Sequence, residues 1–84
     1  MYEVLISPAA KDQFRKLDRQ IQERISVAFQ RLQIRPEDHL IKLVEKPGYK
    51  MRIGDYRAIV DIDRANNVVL IMKVGHRKTI YRNI

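Results

Sequence analysis

The segment Gly48-Tyr-Lys-Met-Arg-Ile-Gly-Asp-Tyr-Arg57 decides the fold of this 84-residue chain, because it predicts a β-hairpin. Apolar and cationic side chains alternate before the turn, which is the pattern of a strand with one buried face. Gly54-Asp55 is a two-residue Gly-X turn of the kind found in type II′ hairpins. If these two residues form the loop, Arg52 and Arg57 lie directly opposite each other, with Lys50 on the same face.

The sequence on either side of the hairpin predicts the other elements. Residues 2–6 alternate as a first strand, and Ser7-Pro8 is a helix start with serine at the N-cap. A second helix follows Asp18 and is expected to end at Pro36, because the residue before a proline disfavours helix. After a connector and the hairpin, an apolar run over residues 68–74 predicts a central strand that Gly75 breaks.

The order β-α-α-β-β-β predicts an α+β fold, with two N-terminal helices packed on one face of a small antiparallel sheet. Residues 1–84 are expected to form a single domain, because a chain of this length supports one core. The helices carry apolar stripes, such as Ile21, Ile25 and Ala28, that suit packing against a sheet. The opposite face of the sheet, with Lys50, Arg52 and Arg57, is left open.

The composition excludes several classes of site. There is no cysteine, so disulfides and thiolate metal sites are excluded. The two histidines, His39 and His76, have no ligand-like spacing, and we expect neither a metal nor another cofactor. No apolar run approaches the roughly 20 residues of a membrane span, and the N-terminus lacks the features of a signal peptide. We therefore expect a soluble cytoplasmic protein with no membrane contact.

The positive charge is concentrated in the second half of the chain. Of the net charge of +7, residues 1–45 contribute +1, from 8 Lys/Arg and 7 Asp/Glu, and residues 46–84 contribute +6, from 9 and 3. A basic sheet face of this kind is typical of surfaces that meet a phosphate backbone or an acidic protein. Further cations near the C-terminus are expected to add phosphate affinity without sequence preference, namely Lys73, Lys78 and Arg82.

The arrangement of these segments resembles the RelE/ParE superfamily of toxins from type II toxin–antitoxin systems. The resemblance rests on the first strand, the Ser-Pro-Ala-Ala-Lys helix start, the hairpin and the ending Val74-Gly-His-Arg-Lys-x-x-Tyr81. The RelE branch implies a ribosome-dependent, metal-independent endonuclease that cuts mRNA in the A-site codon by 2′-hydroxyl attack. It also implies a RelB-like antitoxin and the 30S ribosomal A site as partners, and catalytic roles for Lys50, Arg52, Arg57, Arg77 and Tyr81.

Such a reaction must deprotonate one oxygen, protonate another and stabilise the phosphorane between them. Lys50 is the preferred general base, because two nearby arginines disfavour its charged form, although a purely electrostatic role stays open. Arg52 and Arg57 suit phosphate clamps, since a guanidinium binds phosphate through two parallel hydrogen bonds. Arg77 is a candidate for stabilising the leaving group.

Two further residues are candidates for contact with the RNA. Tyr81 can stack on an unpaired base, or alternatively pack the C-terminus. An imidazole can act as an acid or a base at neutral pH, which makes His76 a candidate for either role, with a structural role as the alternative.

Two other functions remain compatible with the sequence. One is inhibition of DNA gyrase, as in the ParE branch, and the other is non-catalytic binding of nucleic acid. The ParE branch generally lacks the set of basic residues with a tyrosine, whereas this chain has it. A simple binding module would not need Tyr81 near the cations.

Overall fold

A computed structural model describes residues 1–80 as a five-stranded sheet with the two N-terminal helices against one face. Two short 3-10 turns, Arg31–Gln33 and Pro36–His39, follow the second helix. The order and the α+β class confirm the sequence prediction. The elements are β1 (Glu3–Ile6), α1 (Pro8–Arg15), α2 (Arg19–Gln30), β2 (Ile41–Lys42), β3 (Tyr49–Ile53), β4 (Tyr56–Asp63), β5 (Val68–His76) and α3 (Arg77–Ile80).

The strands lie in the order β1-β5-β4-β3-β2, so β5 is central. β2 to β5 are antiparallel, but β1 pairs with β5 in parallel, from Glu3 with Val68 to Ile6 with Ile71. The prediction of a wholly antiparallel sheet was wrong for this pair. A parallel pair needs a long crossover, and here both helices and the hairpin lie between the two strands in sequence.

The β3–β4 hairpin has the predicted turn and register. Arg52 pairs with Arg57, and Ile53 pairs with Tyr56. Gly54 has a φ of 61°, and Asp55 does not have a positive φ, as a type II′ turn requires. The side-chain period of two then fixes which residues of both strands face the helices and which face away.

The first helix is attached to β5 through two polar side chains. Ser7 is the N-cap of α1, and its Oγ accepts a hydrogen bond from the Ala10 N–H at 3.1 Å. The same hydroxyl donates to the Met72 carbonyl at 3.0 Å. Further along, the Val74 N–H donates to Gln13 Oε1 at 2.9 Å. Helix α1 thus bonds to β5 beyond the point where β1 ends, so that part of the strand edge is not left open.

The core lies between the helices and the sheet. Ile25 and Leu32 on the helical side meet Val60, Val69 and Ile71 on the strands, and all five are fully buried. Burying an aliphatic side chain of this size stabilises the fold by about 1.5–3 kcal/mol. Among residues 1–80, no helix has the length and apolar character to cross a membrane.

Three boundaries differ from the sequence prediction. Helix α2 ends at Gln30 rather than at Pro36, because the chain tightens into a 3-10 turn and Arg35 then takes a left-handed φ of 45°. The connector contains the short strand β2, whose two residues pair with Tyr49 and Lys50. Gly75 does not break β5, since it pairs with Arg57 and the strand continues to His76.

Replacing Ser7 with alanine tests the attachment of α1. We expect Ser7→Ala to lower the free energy of unfolding by about 1–2 kcal/mol, because it removes both the helix cap and the bond to Met72. Urea denaturation measures the change, and Ser7→Thr, which keeps the hydroxyl, is the control. Equal stability of the two variants would contradict this role.

An ion pair fixes the connector against the β4–β5 turn and gives a pH-dependent prediction. Arg64 Nη1 donates to Glu37 Oε2 at 2.7 Å, and this bond lowers the pKa of Glu37 below its ordinary value. A carboxylate with a lowered pKa in the folded state adds stability above its unfolded pKa, and this contribution is lost as the pH falls through the folded pKa.

We therefore expect Arg64→Gln to raise the pKa of Glu37 toward its ordinary value. An NMR titration of the Glu37 carboxyl carbon measures this shift. Arg19→Gln, which removes an exposed arginine elsewhere on the chain, should leave it unchanged. An unaltered Glu37 titration in Arg64→Gln would show that the pair does not persist in solution.

Candidate functional site

The open face of the sheet carries two rows of side chains across β3, β4 and β5. In one row Lys50 pairs with Ile59, and Ile59 pairs with Lys73. In the other row Arg52 pairs with Arg57, and Arg57 pairs with Gly75. The predicted cations Lys50, Arg52 and Arg57 therefore share one face. Like charges on directly opposite residues destabilise a strand pair, so this placement costs stability.

Arg57 is held in place by the backbone of its own hairpin. Its Nη1 donates to the Gly54 carbonyl at 2.8 Å and to the Tyr56 carbonyl at 2.9 Å. A guanidinium has five N–H donors, so the Nε and Nη2 side remains available for a bidentate acceptor such as phosphate. The half-buried Arg57 is thus an oriented cation rather than a freely moving surface charge.

Helix α3 brings Arg77 to the same hairpin. The Arg77 N–H donates to the Asp55 carbonyl at 2.9 Å, which fixes the start of the helix against the turn. A Cβ on Gly75 would meet Ile80 and Thr79 atoms at 3.8 Å, so α3 passes beside the glycine on the sheet. Arg52 and Arg57, which pair next to the Gly54-Asp55 turn, and the backbone of Arg77 thus lie together at this end of the hairpin.

His76 lies on the face of the sheet opposite to Lys50, Arg52 and Arg57, because it follows Gly75 in β5 and side chains alternate along a strand. It pairs with Tyr56, whose ring packs against the core, and the two rings meet edge to face with centroids 5.4 Å apart. Its Nδ1 accepts a hydrogen bond from the Lys78 N–H at 3.1 Å, and its carbonyl accepts one from Thr79 Oγ1. The structure therefore uses His76 to begin α3 and does not bring it together with Lys50, Arg52 and Arg57.

The remaining predicted residues divide into two groups. Lys73 is half-buried on the open face, and Lys78 is exposed on α3, at the edge of the cluster. Tyr81 and Arg82 lie outside the described residues. Within residues 1–80, no three His, Cys, Asp or Glu side chains lie close enough to hold a metal ion.

Sequence reasoning missed a contact between the hairpin and α2. A Cβ on Gly54 would lie 3.6 Å from Arg24 Nη1, so this exposed helical arginine reaches the turn. Arg24 lies next to Ile25 of the apolar stripe in α2, at a position that the sequence pattern predicts to be exposed to solvent. No local signal in the sequence indicates that the β3–β4 turn comes up beside it, because that contact depends on how the helix crosses the sheet.

A basic face on a small sheet, with two helices behind it, is the architecture of a class of small bacterial and archaeal toxins. The family model described as ParE toxin of type II toxin-antitoxin system, parDE, matches residues 4–81. The chain belongs to this family. No curated protein sequence matches it significantly.

Solved structures place the fold in the RelE-like branch of the RelE/ParE superfamily. The toxin–antitoxin complex RelBE2 from Mycobacterium tuberculosis matches with a TM-score of 0.83 and 28% identity, covering 90% of this chain and 98% of that chain. The archaeal RelE–RelB complex from Pyrococcus horikoshii matches with 0.79 and 25% identity, covering 93% and 97%. The intact Escherichia coli RelBE complex matches in fold, with 0.78 and 23% identity, covering 90% and 96%.

The two opposed arginines should differ in their effect on stability. We expect Arg57→Ala to lower the free energy of unfolding by about 1–2 kcal/mol, because two backbone carbonyls lose a charged donor. We expect Arg52→Ala to change it by less than about 0.5 kcal/mol, because it relieves a like-charge pair and breaks no hydrogen bond within residues 1–80. Thermal and urea unfolding compare the two. Equal losses would show that the carbonyl bonds of Arg57 contribute nothing.

Proposed function

We propose that this toxin is a ribosome-dependent endoribonuclease that cuts mRNA in the A-site codon without a metal ion. The observation that carries the proposal is the cation cluster around the Gly54-Asp55 turn. Lys50, Arg52 and Arg57 share one face, and the Arg77 backbone is bonded to the turn. This set can supply a base and several charge-stabilising groups to a single phosphate.

The chemistry is an internal transesterification. The mRNA 2′-oxygen attacks the adjacent phosphorus, the P–O2′ bond forms and the P–O5′ bond breaks. Lys50 Nζ acts as the base that takes the 2′-hydroxyl proton, and a water molecule donates a proton to the departing 5′-oxygen. The products are a 2′,3′-cyclic phosphate and a 5′-hydroxyl end.

The arginines have separate roles in this proposal. Arg57 offers the donors that the carbonyl bonds leave available, so it is already oriented toward a phosphate before RNA arrives. Arg52, directly opposite, supplies a second guanidinium. Arg77 stabilises the charge that develops on the leaving 5′-oxygen, and Tyr81 stacks on an mRNA base.

We further propose that a RelB-like antitoxin binds and inhibits this toxin. The structures from Mycobacterium tuberculosis and Pyrococcus horikoshii are complexes of a toxin with its antitoxin. The basic open face suits an acidic, partly disordered protein that folds on binding. Covering the hairpin turn would remove Arg52, Arg57 and Arg77 from the RNA together.

The test uses purified ribosomes programmed with a defined mRNA and an empty A site. We expect the wild-type protein to cut within the A-site codon, as mapped by primer extension. Loss of the base or of the leaving-group cation, in Lys50→Ala or Arg77→Ala, should reduce the rate by about 10²–10⁴-fold. Arg19→Gln, which removes a remote exposed charge, is the control and should cut at the wild-type rate.

The product ends and the wild-type result decide between the functions. A downstream fragment that polynucleotide kinase can phosphorylate without prior phosphatase treatment has the 5′-hydroxyl end that 2′-attack requires. A folded wild-type protein that leaves mRNA intact on ribosomes would contradict the nuclease proposal. Inhibition of DNA gyrase in a supercoiling assay would then support the ParE-like alternative.

A further inference from the structure

A second cationic surface lies on the helix side of the hairpin and shares only Arg52 with the cluster of the proposed reaction. A cleft of about 540 Å³ separates α2 from β3. Its basic residues are Arg24 from α2, Arg31 from the 3-10 turn that follows α2, Arg52 from β3 and His39 from the connector, and no carboxylate lines it among the described residues. Its volume lies in the range of sites that hold small ligands or parts of larger ones.

The arginines of this cleft are not neutralised within the described chain. The ion pairs of residues 1–80 involve Arg15, Lys16, Arg19 and Arg64, and none involves Arg24, Arg31 or Arg52. Three unpaired guanidiniums in one cleft repel one another. Their energy falls when an anion with more than one charged group lies between them.

The cleft is open at the sheet because β2 is so short. β2 pairs only with Tyr49 and Lys50, so no strand covers the outer edge of β3 from Met51 to Ile53. Arg52, whose neighbours in register lie on the open face, therefore also lines the helix-side cleft. One residue thus belongs to both cationic surfaces.

Gly54 is the second link between the two surfaces. Its carbonyl accepts the hydrogen bond from Arg57, and Arg24 Nη1 lies 3.6 Å from the place that a Cβ on Gly54 would occupy. Cations therefore lie on both sides of the hairpin turn, with Lys50 and Arg57 on the open face, Arg24 and Arg31 in the cleft, and Arg52 at both.

We propose that the α2–β3 cleft binds the phosphates of single-stranded RNA next to the scissile phosphate, with Arg24 and Arg31 as contact residues. This inference rests on the proposed function, since the strand in the cleft continues the one that is cut. A strand passing the hairpin turn meets cations on both of its sides, and it also finds apolar surface at the half-exposed Val27. The phosphates of such a strand can contact the arginines of the cleft, and its bases can pack against the apolar surface at Val27.

An acidic protein segment is the competing occupant, and continuity with the catalytic cations favours RNA over it. A segment that only neutralises charge could bind the cleft alone. Because Arg52 lines the cleft and also pairs with the oriented Arg57, one RNA strand can contact the cations of both surfaces. Arg24 and Arg31 are binding residues in this proposal and take no part in bond cleavage.

The first experiment measures binding without cleavage. The probe is a fluorescent single-stranded RNA of 12 nucleotides with 2′-O-methyl groups throughout, which removes the nucleophile. Fluorescence anisotropy is recorded across a salt series for wild type, Arg24→Gln/Arg31→Gln and Arg19→Gln. Arg19 lies on the same helix, outside the cleft, so its variant controls for loss of helix charge.

We expect the double variant to bind the RNA about tenfold more weakly at low salt. Loss of two phosphate contacts should also reduce the slope of log K against log salt by about 1.4. Arg19→Gln should keep the wild-type slope, and circular dichroism should show all variants folded. A double variant with the wild-type slope, or a wild-type protein that does not bind the probe, would overturn the assignment.

A competition experiment separates RNA from an acidic protein. Polyglutamate of matched length and charge is added to the complex of wild-type protein and labelled RNA. We expect little displacement at concentrations where unlabelled 2′-O-methyl RNA displaces the probe fully. Equal displacement by polyglutamate would overturn the RNA assignment and leave a general anion-binding surface.

Ribosomal cleavage assays then separate this inference from the proposed function. We expect the double variant to raise KM several-fold with kcat almost unchanged, because phosphates remote from the reaction contribute uniform binding. A fall in kcat with unchanged KM would contradict a binding role. If wild-type protein cuts nothing, the proposed function fails, whereas the binding and competition results still decide the occupant of the cleft.

Discussion

The two-residue turn at Gly54-Asp55 is the constraint on which the functional surface depends. A type II′ turn needs a positive φ at its first position, and Gly54 supplies it at 61°. With the loop fixed at two residues, the register that sets Arg52 against Arg57 follows. Because strand side chains alternate, a slip of one residue would turn Lys50 toward the core and Met51 toward solvent. The same turn carries the carbonyls that hold Arg57 and the Arg77 backbone.

This arrangement accepts a local electrostatic cost. The Arg52–Arg57 pair is unfavourable, and Arg24 and Arg77 add positive charge near the same turn. Part of the cost is offset by backbone carbonyls, which solvate the Arg57 guanidinium as water would, in a fixed geometry. Burial of apolar side chains in the core, where Ile25, Leu32 and Ile71 are fully buried, contributes more of the stability that offsets this cost. The core thus offsets the electrostatic cost of the opposed arginines on the surface of the sheet.

Much of the fold followed from local sequence signals. The Ser7-Pro8 helix start, the Gly54-Asp55 turn and the apolar stripe of α2 are each determined by neighbouring residues, and the structure confirms them. The parallel β1–β5 pair could not be predicted in this way, because its two strands are more than 60 residues apart. The same holds for the extension of β5 past Gly75, which depends on its pairing with Arg57.

In the candidate site, too, some features follow from local sequence signals and others depend on contacts between distant segments. The common face of Lys50, Arg52 and Arg57 follows from strand alternation and turn length, so the sequence was sufficient for it. The position of His76 depends on the Tyr56 ring and on the start of α3. The approach of Arg24 to the turn depends on the way α2 crosses the sheet. These contacts join distant segments, and no spacing within the chain encodes them.

The central position of β5 also affects how the toxin comes into being. Within residues 1–80, β5 is the strand made last during synthesis, yet it lies between β1 and β4 and bonds to α1. Until residues 68–76 have emerged, β1 has no partner, and a lone two-stranded hairpin is at best marginally stable in water. The nascent chain therefore cannot present its basic face in the native arrangement during most of its own translation.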